Sequence, residues 1–162
     1  MNIGVLGGTF DPPHDAHLRI AERSIDQFNL DRVIFIPSGN PWQKQDATSY
    51  RHRYEMTKIL IGDSNDLEIS DIENSEEKPS YTYETLKKLN HPKEELYFIL
   101  GSDAAINIKT WKNYQSLANL TNFLIALRSE DNIDVLEKNF PFNYEIISGD
   151  KLDLSSTTLR NK

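Results

Sequence analysis

The sequence predicts a doubly wound α/β domain with a mainly parallel sheet of five or six strands and helices on both faces. Three observations predict it. Short continuous runs of Val, Ile, Leu and Phe alternate with segments whose apolar residues recur every three or four positions. The first run ends in Gly7-Gly8 and leads into such a helical pattern. The length of 162 residues suits one core of ordinary size, so 1–162 is expected to form a single domain.

The elements follow in order. Ile3 to Leu6 reads as a short buried strand ended by the glycine pair. Leu18, Ala21, Ile25 and Phe28 mark one face of an amphipathic helix. Val33 to Ile36 is a second buried strand, stopped by Pro37. After a polar loop through Ser49, Tyr50 to Ile61 reads as a helix with Arg53, Met56 and Leu60 in register. Leu67 to Ile72 is the third strand, Thr82 to Leu89 a helix, and Leu96 to Leu100 a strand closed by Gly101. A helical stretch is expected from Asp103 to Ala118, then a strand from Phe123 to Leu127. A short helix around Asp134 to Lys138 and a strand at Tyr144 to Ile147 complete the series. Right-handed crossovers make this arrangement Rossmann-like, with ligands expected at the carboxyl ends of the strands near the switch point.

Composition narrows the function classes. Hydrophobic residues make up 38% and charged residues 27%, an ordinary globular balance. The net charge is −7 and no Lys/Arg cluster stands out, so a nucleic-acid partner is not expected. The excess acid lies largely between Asp63 and Glu77 and reads as solvated surface. Any anionic ligand must then be held by a local site. No apolar run approaches the roughly 18 residues of a membrane span. The N-terminus carries no basic leader and the chain has no cysteine, which points to the cytoplasm. A homo-oligomer is left open.

The strongest motif is Gly7-Gly8-Thr9-Phe10-Asp11-Pro12-Pro13-His14-Asp15-Ala16-His17, between the first strand and the first helix. Two glycines let the backbone turn sharply and approach a ligand. The helix N-terminus beyond offers unpaired N–H groups to a phosphate. His14 and His17, three apart, share a face at that helix start and are candidates to stabilise charge on a reacting phosphoryl group. A glycine pair after a strand is also a common turn. Two histidines are half a zinc site, but no further ligands at suitable spacing follow. His52 and His91 read as surface residues. The segment lacks the Walker ending and the full G-x-G-x-x-G pattern, which weakens kinase and dehydrogenase readings.

This segment resembles the signature of nucleotidyltransferases with a Rossmann-like fold and an H-x-G-H element. Leu154-Ser155-Ser156-Thr157-Thr158-Leu159-Arg160 is similar to their I-S-S-T-x-I-R motif. Ser and Thr are also plain helix caps, leaving N–H groups free for an anion. Three middle blocks are Ile36-Pro37 through Pro41-Trp42-Gln43-Lys44 with Arg53 and Met56, Pro79-Ser80-Tyr81-Thr82-Tyr83-Glu84-Thr85-Leu86, and Phe98-Ile99-Leu100-Gly101-Ser102-Asp103 with Trp111. With these the chain resembles bacterial nicotinate-nucleotide adenylyltransferases over essentially its whole length.

The resemblance implies transfer of AMP from ATP to nicotinate mononucleotide, with Mg2+ carried on the ATP phosphates. It implies that His17, with His14, acts on the α-phosphate. Gly7, Gly8, Thr9 and Phe10 belong to the phosphate-binding segment. Lys44, Arg128, Ser155, Ser156, Thr157 and Arg160 are assigned to ATP phosphates, and Gly101 and Asp103 to the nucleotide. Trp111 is assigned to the pyridine ring, and Thr82 with its neighbours to the nicotinate carboxylate. No dedicated metal ligands are implied. Ala16 stands where that family usually has glycine. The chain ends two residues after Arg160, where the family usually continues, so a short or truncated C-terminal helical segment is expected. Alternatives are a related adenylyltransferase with another acceptor such as phosphopantetheine, a non-catalytic nucleotide-binding module, and a dinucleotide-dependent oxidoreductase. The last fits the fold but not the histidines, and Ile36-Pro37-Ser38 stands where a ribose-binding acid would be.

Overall fold

The computed structural model describes residues 1–39, 49–74, 81–127 and 133–147. Six strands form one sheet: β1 (Ile3–Gly8), β2 (Arg32–Pro37), β3 (Leu67–Ile69), β4 (Leu96–Gly101), β5 (Asn122–Ala126) and β6 (Glu145–Ile146). Their order is β3-β2-β1-β4-β5-β6, and every neighbouring pair is parallel. The chain winds outward from β1 to β3, then returns to place β4 against the free side of β1. The switch point therefore lies between β1 and β4, with Leu6 opposite Ile99.

Strand alternation divides the core into two layers. Leu6, Phe35 and Ile99 face the layer covered by α1 (Asp15–Phe28) and α2 (Tyr50–Ile61). Val5, Phe98 and Leu100 face the other layer, covered by α3 (Thr82–Leu89), α4 (Ser102–Ile106) and α5 (Ile133–Asn139). The parallel sheet with helices on both faces thus bears out the fold class read from the sequence. Burial of each such large apolar side chain contributes roughly 1.5–3 kcal/mol before entropy is counted.

Local chemistry sets the ends of the helices. His14, in extended conformation, caps α1. Asn29 ends α1 and Asn90 ends α3, both in the left-handed region that Asn tolerates better than most residues. The Ser49 hydroxyl accepts the His52 amide at the start of α2, and Gly62, at φ +62°, ends it. On α1 the fully buried stripe is Ala16, Ile20, Ala21 and Ser24, while Leu18, Ile25 and Phe28 are partly buried. Ser24 is accommodated because its hydroxyl donates to the Ile20 carbonyl at 2.8 Å.

Two expectations are corrected. Strand β3 ends at Ile69, because the Ser70 hydroxyl accepts the Ile72 amide and turns the chain. The single helix expected over Asp103 to Ala118 is instead α4, a 3₁₀ turn at Ile108–Thr110 and another at Tyr114–Asn119. Asn107 and Thr110 side chains bond to the carbonyls of Asp103 and Asn107, at 3.2 and 2.6 Å, competing with helical bonding. Trp111 is extended and Asn113 left-handed, so Trp111 lies at a break between turns.

Candidate active site

Gly7 and Gly8 end β1 and Gly101 ends β4, so all three glycines stand at the carboxyl edge beside the switch point. A cavity of about 560 Å³ opens there. Gly7, Gly8, Thr9 and His17 line it, with Gly101 at the end of β4, Asp103 on α4, Thr82 on α3, and Trp111. The structure thus gathers eight of the residues singled out from the sequence around one cavity. A Cβ built on Gly7 would meet nothing closer than a Phe98 ring carbon at 3.7 Å. Packing therefore does not require glycine at position 7, and its missing side chain keeps the strand end open.

His17 is the most constrained of the polar groups. Its Nδ1 accepts the His14 backbone amide at 2.9 Å, a bond across the first turn of α1. That bond leaves Nε2 to carry the proton of the neutral ring. Burial, together with neighbouring His14, lowers its pKa from 6.5 to about 4. The ring meets Phe10 edge-on at 5.0 Å and stacks with His14 at 5.7 Å. His17 is thus held neutral, in one tautomer, with its ring fixed from two sides.

Two expected site residues stand back from the cavity. Phe10 is 4% exposed and packs its ring against Phe35 and His17 in the core. Its φ of +52° is a left-handed conformation rarely taken by an aromatic residue. His14 is partly buried and stacks on the His17 ring. Lys44, Arg128, Ser155, Ser156, Thr157 and Arg160 lie outside the described residues. Of the two histidines read as surface, His52 is exposed, and His91 is partly buried with Nε2 3.0 Å from the Met1 carbonyl oxygen.

The far end of the cavity is built from separate elements. Trp111 is half-buried and meets Phe98 of β4 edge-on at 6.1 Å. Thr82 is the first residue of α3, next to Tyr81 at the cap. Lys112 places its ammonium 4.7 Å from the centre of the Tyr81 ring and 3.5 Å from Glu84. The Thr85 hydroxyl donates to the Glu73 carboxylate and to the Tyr81 carbonyl, which ties the segment after β3 to the first turn of α3.

Sequence reasoning had not singled out Ser38, Glu73 or Lys112, which also line the cavity. Ser38 follows β2, next to β1 in the sheet, so the strand-end rule could have found it. Glu73 and Lys112 had no comparable local signal. Among the described residues, no group of three or more His, Asp or Glu is arranged to hold a metal ion. None of the described helices is long and apolar enough to cross a membrane.

Comparison with known proteins agrees with this fold. A Clostridium novyi (strain NT) protein named "Probable nicotinate-nucleotide adenylyltransferase" is 44% identical over 170 residues, spanning 98% of this chain and 85% of that one. A Desulfitobacterium hafniense (strain Y51) protein of the same name is 40% identical over 171 residues, spanning 99% and 83%. Among solved structures, the Plasmodium falciparum nicotinic acid mononucleotide adenylyltransferase complexed with NaAD matches with a TM-score of 0.79 at 29% identity. That match covers 99% of this chain and 82% of that one. The family model described as Cytidylyltransferase-like matches residues 5–162. With its sheet order, its glycine-edged cavity and these matches, the chain belongs to the cytidylyltransferase-like family.

Proposed function

We propose that this protein transfers the AMP part of ATP to nicotinate mononucleotide, forming nicotinate adenine dinucleotide and pyrophosphate. The observation that carries this reading is the single cavity joining Gly7, Gly8, Thr9 and His17 to Thr82 and Trp111. A phosphate seat and an aromatic pocket open on one space, as a reaction between two phosphate-bearing partners requires. The names of its relatives and the NaAD bound to the Plasmodium enzyme support the same reading.

In this reaction an oxygen of the acceptor's phosphate attacks the α-phosphorus of ATP. The bond from that phosphorus to the α,β-bridging oxygen breaks, and pyrophosphate leaves with the electron pair. The attacking oxygen is already anionic at neutral pH, so the enzyme need supply neither a nucleophile nor a base. Catalysis is positioning and charge stabilisation. His17, neutral with its proton on Nε2, donates to the α-phosphate as charge builds there. Its low pKa keeps that donor in one state throughout the neutral range. Gly7 and Gly8, having no side chains, let the phosphates approach the strand end beside Thr9, and Phe10 and His14 support His17.

At the other end Trp111 stacks on the pyridine ring, and Thr82 with its neighbours reads the carboxylate. Gly101 and Asp103 line the nucleotide side of the cavity. Lys44, Arg128, Ser155, Ser156, Thr157 and Arg160 are assigned to the ATP phosphates on sequence grounds. Mg2+ arrives as part of the substrate MgATP, keeping phosphate oxygens and water as most of its ligands. The small charged substrates put the work in the cytoplasm, with 1–162 acting as one domain.

The test is pyrophosphate release from MgATP with nicotinate mononucleotide, nicotinamide mononucleotide or phosphopantetheine as acceptor. Fast release with the nicotinate acceptor is expected. Release with phosphopantetheine alone would keep the chemistry and replace the acceptor. Silence with all three overturns the reading.

A further inference from the structure

We propose that Arg53 is a positioning residue for the ATP-phosphate end of the site, acting through the loops that follow β1 and β2. Arg53 lies on α2 and is 1% exposed. Its Nη1 donates to the Thr9 carbonyl at 3.0 Å and the Ser38 carbonyl at 2.5 Å, and its Nη2 to the Gly39 carbonyl at 3.1 Å. Thr9 and Ser38 line the cavity. The same two loops are joined by the Ser38 amide, which donates to the Gly8 carbonyl at 2.9 Å. One guanidinium therefore holds together the two strand ends that border the phosphate seat.

Two physical arguments make this a positioning role. Burying a cation is expensive, and the rigid planar fork aims several donors at once at carbonyls on two separate loops. The carbonyl and amide of one peptide point in opposite directions across a rigid plane. Drawing the Thr9 carbonyl onto Arg53 therefore fixes the face on which the Phe10 amide stands. Phe10 itself sits at φ +52°, a conformation that persists only where its surroundings enforce it. Arg53 and the buried Phe10 ring both restrain that turn, and the turn leads to His17.

The inference rests on the adenylyl-transfer reading for its kinetic arm, and its binding arm is independent of it. Arg53→Lys keeps the charge and loses the fork. Its kcat is expected to fall about 10- to 100-fold, as a displaced reacting group would cause. The KM for ATP should rise at least roughly fivefold, while the acceptor KM stays within about twofold. Folded protein with kcat and both KM values near wild type would overturn the proposal. So would a loss that merely follows the folded fraction. Should Arg53→Lys not fold, the wild-type protein decides. The guanidinium protons of Arg53, followed by nitrogen-15 NMR, should shift on adding a non-hydrolysable ATP analogue and stay still on adding nicotinate mononucleotide. Indifference to the analogue would overturn the proposal. A response to the analogue without pyrophosphate release would instead leave Arg53 in its role and remove the adenylyl-transfer reading.

Discussion

The two ends of the cavity are made differently. Among the described residues, the phosphate end is mostly one contiguous segment, Gly7 to His17, folded over the end of β1 and the first turn of α1. The acceptor end draws Glu73 from the segment after β3, Thr82 from α3 and Trp111 from a break between 3₁₀ turns. The Gly7–His17 part of the lining is two glycines, Thr9 and one imidazole of fixed tautomer. The other part of the lining includes a ring, hydroxyls, a carboxylate and an ammonium from Trp111, Thr82, Thr85, Glu73 and Lys112. Backbone groups cannot change with sequence, whereas side chains can. Under the proposed reaction, the first end would serve the step common to all adenylyl transfers, and the second the choice of acceptor.

The largest effect that separates the ends is His17→Ala. Turnover should fall about 100- to 1000-fold, as for loss of a transition-state donor, with the acceptor KM little changed in steady-state assays. Turnover within a few-fold of wild type would break the distinction. Trp111→Ala should do the reverse. Ring stacking is worth roughly 1–3 kcal/mol per base, so the acceptor KM should rise about 5- to 100-fold. The kcat at saturating acceptor should stay within a few-fold.

Gly7→Ala sharpens the contrast, because the added Cβ meets only a ring carbon at 3.7 Å. A thermal melt should stay near wild type while the KM for ATP rises about tenfold, because the added methyl stands where the ligand must approach the strand end. The smallest effect is on stability against pH. His17 titrates at about 4 when folded and near 6.5 when unfolded. Its contribution is therefore complete above pH 6.5 and is lost as the pH falls from 6.5 toward 4. Between pH 6.5 and 5.5 the unfolding free energy should drop by roughly 1 kcal/mol on this account, and denaturant titrations of His17→Ala should lack that component.

The same contrast explains what was legible in the sequence. The Gly7 to His17 segment could be read directly because its parts are neighbours and its chemistry is local. The strands were legible because both faces of a parallel sheet are covered, so Val33 to Ile36 and Leu96 to Leu100 are unbroken apolar runs. The stretch after Gly101 was misread as one helix. Its apolar spacing suits a helix, but Asn107, Thr110 and Asn113 break it through local hydrogen bonds and a left-handed residue. Arg53 was visible as a residue in helical register and as part of a block that carries the family resemblance, but not as a tie between two loops. Its role depends on three carbonyls 14 to 44 positions away, which only the folded chain brings together. Glu73 was hidden for the same reason, and was grouped with an acidic surface run although it faces the cavity and receives the Thr85 hydroxyl.

The central claim is that the histidine end and the tryptophan end are separable parts of one site. Titration calorimetry of nicotinate mononucleotide into the His17→Ala protein tests it most directly. The account predicts a dissociation constant within about threefold of wild type, in a protein that no longer turns over at a useful rate. A loss of acceptor affinity of tenfold or more would contradict it, because the acceptor would then be held at the histidine end.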